Sequence, residues 1–170
     1  MKAAPYWIKG PWPGRLAILP RPRGGDWLED EVRAWRLAGI DAVVSTLTSD
    51  EIAELDLSEE AELCQANGVE CIAFPVEDRG LPSPSTAAAE LARRLEEKLA
   101  KGKTIAIHCR QGVGRSAVIA ASVLVAAGVE AEAAWAKVRK ARGCPVPDTA
   151  EQRSWVVRFA GTLPAALPGQ

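Results

Sequence analysis

The stretch KTIAIHCRQGVGRSAVIAASVLVAA, residues 103–127, decides the architecture. Its first six residues, Lys103–His108, are a short β-branched apolar run following Gly102, the signature of a buried strand. Its last part, Arg115–Ala127, is apolar on nearly every side, as a fully enclosed helix is. Between them lie Cys109-Arg110-Gln111-Gly112-Val113-Gly114, too short for anything but a tight loop. A strand that turns directly into a helix points its loop amides at whatever occupies the helix N-terminus, where the dipole also favours negative charge.

The same alternation continues in both directions. Arg15–Pro20, Asp41–Leu47 and Glu70–Val76 read as further strands, each bounded by Gly, Pro or acidic turn residues. Helices are expected from Asp26, as N-cap with Glu29 as box partner, to about Ala38, with Gly39 ending the run. Acidic helical segments fill Ser49–Asn67. Another helix starts at a Ser85 or Thr86 cap, with Ala88, Leu91, Ala92, Leu95 and Leu99 on one face. Glu130–Arg142 is amphipathic through Ala134, Trp135, Val138 and Ala141. A last helix runs from an Asp148 cap, boxed by Glu151, to about Ala160. The expected fold is therefore α/β, a three-layer α/β/α sandwich with a largely parallel central sheet of four to five strands. Residues 1–170 are expected to form one domain, with its core at about 15–160 and a flexible tail over 161–170.

Composition narrows the function classes. The chain has 170 residues, 48% of them hydrophobic and 25% charged, with a net charge of −1. That length and balance suit a folded chain with a real core and give no overall reason to bind nucleic acid or an anionic membrane. No apolar run reaches the roughly 20 residues of a membrane span, and the start lacks a signal-peptide apolar region. A cytoplasmic monomer with reduced thiols is expected. Charge is uneven: residues 1–25 hold five bases and no acid, residues 26–100 hold 18 acids against 6 bases, and residues 101–170 hold 10 bases against 4 acids. A locally basic C-terminal part suits a small anionic group, or else reflects solvated helix faces. The single His, His108, excludes a His-rich metal site and leaves carboxylates as the other proton carriers.

The loop carries the chemistry. Gly112 and Gly114 permit positive φ, so that consecutive amides can curl around one anion. Arg115 supplies a planar fork for two phosphate oxygens. Cys109 stands at the mouth of that cradle, where the field that binds a phosphate also favours a thiolate. Alone, Cys109 would read as a small buried hydrophobe and the glycines as a turn. Their spacing, H-C-x5-R-S in a strand–loop–helix, joins them into one site.

At these positions the sequence resembles the cysteine-dependent protein tyrosine phosphatases, whose signature H-C-x-x-G-x-x-R-[ST] is met by His108, Cys109, Gly112, Arg115 and Ser116. The short chain and the G-x-G-R-S form resemble the small dual-specificity branch, near the kinase-associated phosphatase type, over about residues 15–160. The resemblance implies that Cys109 forms a phosphocysteine. It implies that the amides of Arg110, Gln111, Gly112, Val113, Gly114 and Arg115, with the Arg115 guanidinium, hold the phosphate. Ser116 would help the thiolate leave, and His108 would buttress the loop. Neither metal nor cofactor is implied. The general acid would be Asp78, in a segment Phe74–Gly80 that resembles the family's acid loop, with Glu77 as its competitor. Gln152, on the inward stripe Gln152, Trp155, Val156, Phe159, resembles the family's water-positioning Gln, or is an ordinary boundary residue.

The expected partner is a phosphorylated protein or a small phosphomonoester. Arg110 keeps a phosphoinositide or phosphometabolite open, although the loop lacks the two lysines of the lipid-phosphatase version. A rhodanese-like sulfurtransferase and a non-catalytic phosphate binder are the other readings. The first leaves the Asp78 and Gln152 segments without a task, and the second needs no nucleophile. Cys64, Cys71 or Cys144 could pair with oxidised Cys109. The basic N-terminal stretch, from Lys2 to Arg23 with Tyr6, Trp7 and Trp12, either helps to capture an anion or packs its aromatics and solvates its charges.

Overall fold

The computed structural model of the chain describes residues 4–163. Its sheet has five strands in the order β1-β2-β5-β3-β4. These are β1 (Tyr6–Ile8), β2 (Arg15–Leu19), β3 (Ala42–Ser45), β4 (Glu70–Ala73) and β5 (Thr104–His108). Strands β2, β5, β3 and β4 run parallel, and β1 returns antiparallel along β2. Strand β1 was not expected: three residues are too few to show a period. The helices are α1 (Leu28–Leu37), α2 (Ser49–Glu54), α3 (Glu60–Ala66), α4 (Ser85–Ala100), α5 (Arg115–Ala126), α6 (Ala131–Arg142) and α7 (Ala150–Thr162).

Strand alternation builds the three layers. Leu16, Ile18, Val44, Ile105 and Ile107 face α4–α7 in one core. Ala17, Leu19, Val43 and Ala106 face the other way, against Leu28, Val32 and Trp35 of α1, Leu57, and Cys64 of α3. Helix α5 lies innermost, with Arg115–Val125 all buried. That explains why it shows no polar face.

Several helix starts differ from the expected ones. Asp26 does not cap α1: Gly25, at φ +60°, opens a 3₁₀ turn over Gly25–Trp27, and α1 begins after it with no side-chain cap. Neither Ser85 nor Thr86 caps α4, whose N-cap is Pro84. Thr149, not Asp148, caps α7, and its box partner is Gln152, not Glu151. Helix α7 runs through Thr162, so the tail does not begin at Gly161. Residues 164–170, and Lys2 of the basic stretch, lie outside the described residues. Among the described residues no helix is long and apolar enough to cross a membrane.

Registers place the functional loops together. His108 stands beside Leu19 on one side and Ser45 on the other, and Ser45 stands beside Ala73. The carboxyl ends of β2, β5, β3 and β4 therefore meet at one edge, where parallel sheets present their ligand crevices.

Candidate active site

Cys109 follows the last residue of β5 and is almost wholly buried. Its Sγ accepts the Gly112 N–H at 3.1 Å and lies 3.2 Å from the Ser116 Oγ. Both contacts follow from the loop closing onto the start of α5. Gly112 has φ +75°, which an L side chain rarely adopts. Gly114 is different. Its φ is −102°, so conformation does not demand glycine there. Space does: a β-carbon on Gly114 would stand 2.2 Å from Asp148 Oδ2 and 3.1 Å from Gln152 Nε2. Outside the loop, Arg142 Nε donates to the Gly112 carbonyl at 2.8 Å while its guanidinium stacks 4.1 Å from the Tyr6 ring centre. Strand β1 and helix α6 thus support the loop from behind, through a residue the sequence did not single out.

Arg115 is the first residue of α5 and is 2% exposed. Its Nη1 and Nη2 donate to Glu51 Oε1 and Oε2 at 2.6 and 2.9 Å, and Nη1 also donates to the Val76 carbonyl at 2.9 Å. Nη2 makes a longer contact, 3.4 Å, with Asp78 Oδ1. A guanidinium has five N–H donors. Glu51 takes the Nη1/Nη2 edge, which leaves the Nε/Nη2 edge for an incoming anion once Asp78 yields its long contact. Burial opposes the Arg115 charge, but the hydrogen bonds and charge of Glu51 outweigh it and raise its pKa. The Arg115 hydrogen bond in turn holds the Glu51 carboxyl below its ordinary value.

Glu51 was missed by sequence reasoning, although a signal existed. Thr48-Ser49-Asp50-Glu51 is a T-x-x-E capping box, and Thr48 does cap α2, with Glu51 Oε1 accepting the Thr48 N–H at 3.2 Å. One carboxylate serves both the helix start and the guanidinium. Glu60 was also missed, and no local pattern marks it. Alternation along β5 turns His108 to the same side as Ala106, toward α1 and α3. There its Nε2 lies 2.6 Å from Glu60 Oε1 and its ring 6.1 Å from that of Trp35. The imidazole is tied to α3 rather than to residues 109–114, and Nδ1 has no hydrogen-bond partner among the described residues. The His108 carbonyl is clasped by Thr46, from Oγ1 at 3.0 Å and from N–H at 3.1 Å.

The Phe74–Gly80 segment is stitched to the same edge. Phe74 N–H donates to the Ser45 carbonyl and Val76 N–H to the Thr46 carbonyl, each at 2.9 Å. Asp78 then reaches a cavity of about 120 Å³ with Arg79, Cys109, Arg110, Gln111, Gly114, Arg115 and Asp148. Glu77 faces a different cavity, beside Thr48 and Ser49. Arg110 is half-buried at the rim and bonds Glu54 at 3.1 Å, an interaction that raises its pKa. Val113 packs against the α4–α7 core rather than lining this cavity. Gln152 is fully buried. Its Oε1 accepts the Thr149 N–H at 3.2 Å, and its Nε2 donates to the Gly80 carbonyl at 3.2 Å.

Cys64, Cys71 and Cys144 do not line the cavity of Cys109. All four are free thiols. Cys64 packs between sheet and helices with Cys71 beside it, and the Cys71 hydrogen bond, followed by burial, pushes the Cys64 thiol up. In the N-terminal stretch Arg15 stacks 3.6 Å over Trp7, and Arg23 pairs with Glu31 at 2.6 Å. These cations are spent on aromatic and acidic neighbours.

Cys109, almost wholly buried and in contact with the Gly112 N–H and the Ser116 hydroxyl, sits between a parallel strand and a buried helix of a fold that solved structures share. The kinase associated phosphatase structure, in a form whose catalytic cysteine is replaced by serine, superposes with a TM-score of 0.87 at 21% identity, covering 98% of this chain and 99% of that one. Tk-PTP in its active form superposes with a TM-score of 0.74 at 28% identity, covering 88% of this chain and 94% of that one. Residues 19–129 match the family model described as Tc-R-P, polymorphic toxin system, DSP-PTPase phosphatase, and the chain belongs to that family. A curated relative, protein tyrosine phosphatase PRL-1 of Leishmania major, is 29% identical over 108 residues, or 59% of this chain. The alignment spans 61% of that relative's length. The family match ends before α6, so Arg142, Asp148 and Gln152 lie beyond it.

Proposed function

We propose that the chain is a phosphomonoesterase that hydrolyses phosphotyrosine, and phosphoserine or phosphothreonine with it, through a phosphocysteine on Cys109. One observation carries the reading: the Cys109 Sγ sits among the Gly112 N–H and the Ser116 hydroxyl in the cavity that Arg115 and Asp78 also line. A phosphoryl dianion entering that cavity meets the loop amides of residues 110–115 and the open Nε/Nη2 edge of Arg115, a bidentate match for two of its oxygens. The sulfur then lies behind phosphorus, opposite the leaving oxygen. Asp78 yields its contact with Arg115, protonates that oxygen and lets the alcohol depart. Its flanks are pinned, residues 74 and 76 to the end of β3 and Gly80 to Gln152 of α7, which supports a fixed approach from the mouth of the cavity. In the second step water cleaves the P–S bond, and Ser116 donates to the thiolate that re-forms.

His108 holds the loop through its carbonyl and through Glu60, and carries no proton in the reaction. A nucleophilic thiol is kept reduced in a reducing compartment, which supports a cytosolic location. The substrate is a phosphorylated protein or a small phosphomonoester, taken by a monomer.

The test sets an aryl phosphate beside thiosulfate with cyanide. Turnover of the first alone is expected, with vanadate blocking it. Cys109→Ser should abolish turnover and keep phosphate binding; an active Cys109→Ser protein would show that the nucleophile is elsewhere. Asp78→Asn should lower kcat by roughly 10²–10⁴ with little change in KM. Aryl phosphates with acidic leaving groups should suffer least, because they need no proton. Equal losses across leaving groups would remove Asp78 from that role.

A further inference from the structure

We propose that Asp148 accepts the proton of the attacking water when the phosphocysteine is hydrolysed, an assignment that rests on the phosphatase reading above. Two aspartates share the cavity with Cys109, and they are held differently. Asp78 Oδ1 is drawn to Arg115 Nη2. Asp148 lines the same cavity, is exposed to it, and makes no side-chain hydrogen bond or ion pair among the described residues.

Its freedom has a structural cause. An Asp one residue before a helix cap ordinarily competes for capping. Here Thr149 takes the cap, and Gln152 closes the box. Asp148 is thereby released, and Gly114 leaves the room its Oδ2 occupies: any side chain there would stand within 2.2 Å of that oxygen. The two features fit one another, a loop residue without a β-carbon and a carboxylate set against it.

Gln152 is poorly placed for this task. It is fully buried, and both ends of its amide are engaged, by Thr149 on one side and Gly80 on the other. It is a positioning residue that ties α7 to the loop carrying Asp78.

The chemistry balances as follows. After the alcohol leaves, water enters the cavity opposite Sγ and donates a hydrogen bond to Asp148. The water oxygen forms a bond to phosphorus, and the P–S bond breaks with its electron pair returning to Sγ. The Gly112 N–H and Ser116 O–H stabilise the resulting thiolate. The water proton passes to the Asp148 carboxylate and from there to solvent. The two proton transfers are thus divided: Asp78 serves the leaving oxygen and Asp148 the entering one.

The experiment is steady-state and rapid-mixing kinetics on wild type, Asp148→Ala and Asp148→Asn with a series of aryl phosphates. A defect confined to the second step lowers kcat and KM together and leaves kcat/KM near wild type, because kcat/KM reports only steps through loss of the first product. We expect kcat to fall roughly 10²-fold in both variants. A burst of one phenol per enzyme should precede slow turnover, and kcat should become the same for every leaving group. Thermal melts of both variants should match wild type. An Asp148→Ala enzyme with wild-type kcat, an Asp148→Asn enzyme restored to wild-type rate, or a loss in kcat/KM that grows with leaving-group basicity would each overturn the assignment. If wild type itself turns over no aryl phosphate, the phosphatase reading fails first and takes this assignment with it.

Discussion

Arg115 and Glu51 set the logic of the site at the scale of single residues. On the proposed reading Arg115 grips a phosphate and cannot be left to swing, and an Arg buried at the start of α5 cannot be left without a counter-charge. Glu51 meets both needs by taking one edge of the guanidinium in a bidentate pair, while Arg115 also lines the cavity. Removing one partner of a buried pair leaves an uncompensated charge and costs about 3–5 kcal/mol, a large share of the ~5–15 kcal/mol that holds a domain together. Glu51→Gln keeps the shape and loses the charge. We expect it to lower the melting temperature, raise KM for phosphomonoesters and leave the fold intact by circular dichroism. Its effect should depend on pH in a definite direction. The folded-state pKa of Glu51 is held below its ordinary value of 4.5. The stabilisation is therefore fully present above that value and fades as pH falls through the lowered folded one. Urea unfolding of wild type and variant should converge on acidification; a gap that stayed constant or widened would mean that the pair contributes nothing through charge. The sequence made Cys109, Arg115 and Ser116 legible because their chemistry lies within one contiguous loop. It did not make Glu51 legible as a partner, because T-x-x-E announces a helix start and says nothing of what the carboxylate's second face will meet. Glu60 and Arg142 gave still less, since each acts only through residues 48 and 30 positions away.

Whole elements explain how the segment carrying Asp78 is held. Residues 74 and 76 bond to the end of β3 on one side, and Gly80 is held by Gln152 of α7 on the other. Only residues 77–79 span the gap, in a turn closed by Gly80 N–H donating to the Glu77 carbonyl at 2.7 Å, with Arg79 at φ +59°. Cutting the α7 clasp should act on the first chemical step. Gln152→Ala is expected to lose about 1 kcal/mol of stability through the broken capping box. It should also lower kcat/KM most for poorly activated phosphate esters, because Asp78 is then less well aimed. Leaving-group series for Gln152→Ala and Asp148→Ala, measured side by side, check this; a Gln152→Ala defect confined to kcat would return the water to Gln152. The same elements show why strands and helices could be read and their starts could not. Four strands and the amphipathic helices are set by periods that tertiary packing reinforces, as when Leu16 and Ile18 alternate with Ala17 and Leu19. Caps are chosen between adjacent candidates of almost equal quality. Asp148 and Thr149 can both cap, each with a box partner three residues on, and the buried seat of Gln152 on the Gly80 carbonyl favours Thr149 over Asp148 with its exposed Glu151. At Asp26 a 3₁₀ turn intervenes, which propensity does not anticipate.

At the scale of the whole molecule, folding and anion binding are one equilibrium. The cradle does not exist in the unfolded chain: Gly112 must adopt φ +75°, α5 must be packed on all sides, and Arg115 must be tethered to a helix 64 residues away in sequence. An anion that fits the cradle therefore binds only the folded protein and stabilises it by mass action, about 2.7 kcal/mol at a hundredfold excess over Kd. For a chain of this length each kcal/mol moves the melting temperature by roughly 2–4 °C, so a saturating tetrahedral or trigonal-bipyramidal oxyanion should raise it by roughly 5–11 °C. The shift should survive in Cys109→Ser, where the amides and guanidinium remain. It should vanish in Arg115→Lys, whose point charge cannot satisfy Glu51 and two anion oxygens at once. The comparison uses the ligand-induced shift within each variant, so any loss of baseline stability in Arg115→Lys cancels. Differential scanning calorimetry with tungstate, against chloride at equal ionic strength, makes the measurement. An equal shift in Arg115→Lys and wild type would place the anion elsewhere on the surface, and the joint between β5 and α5 would then be a turn and nothing more.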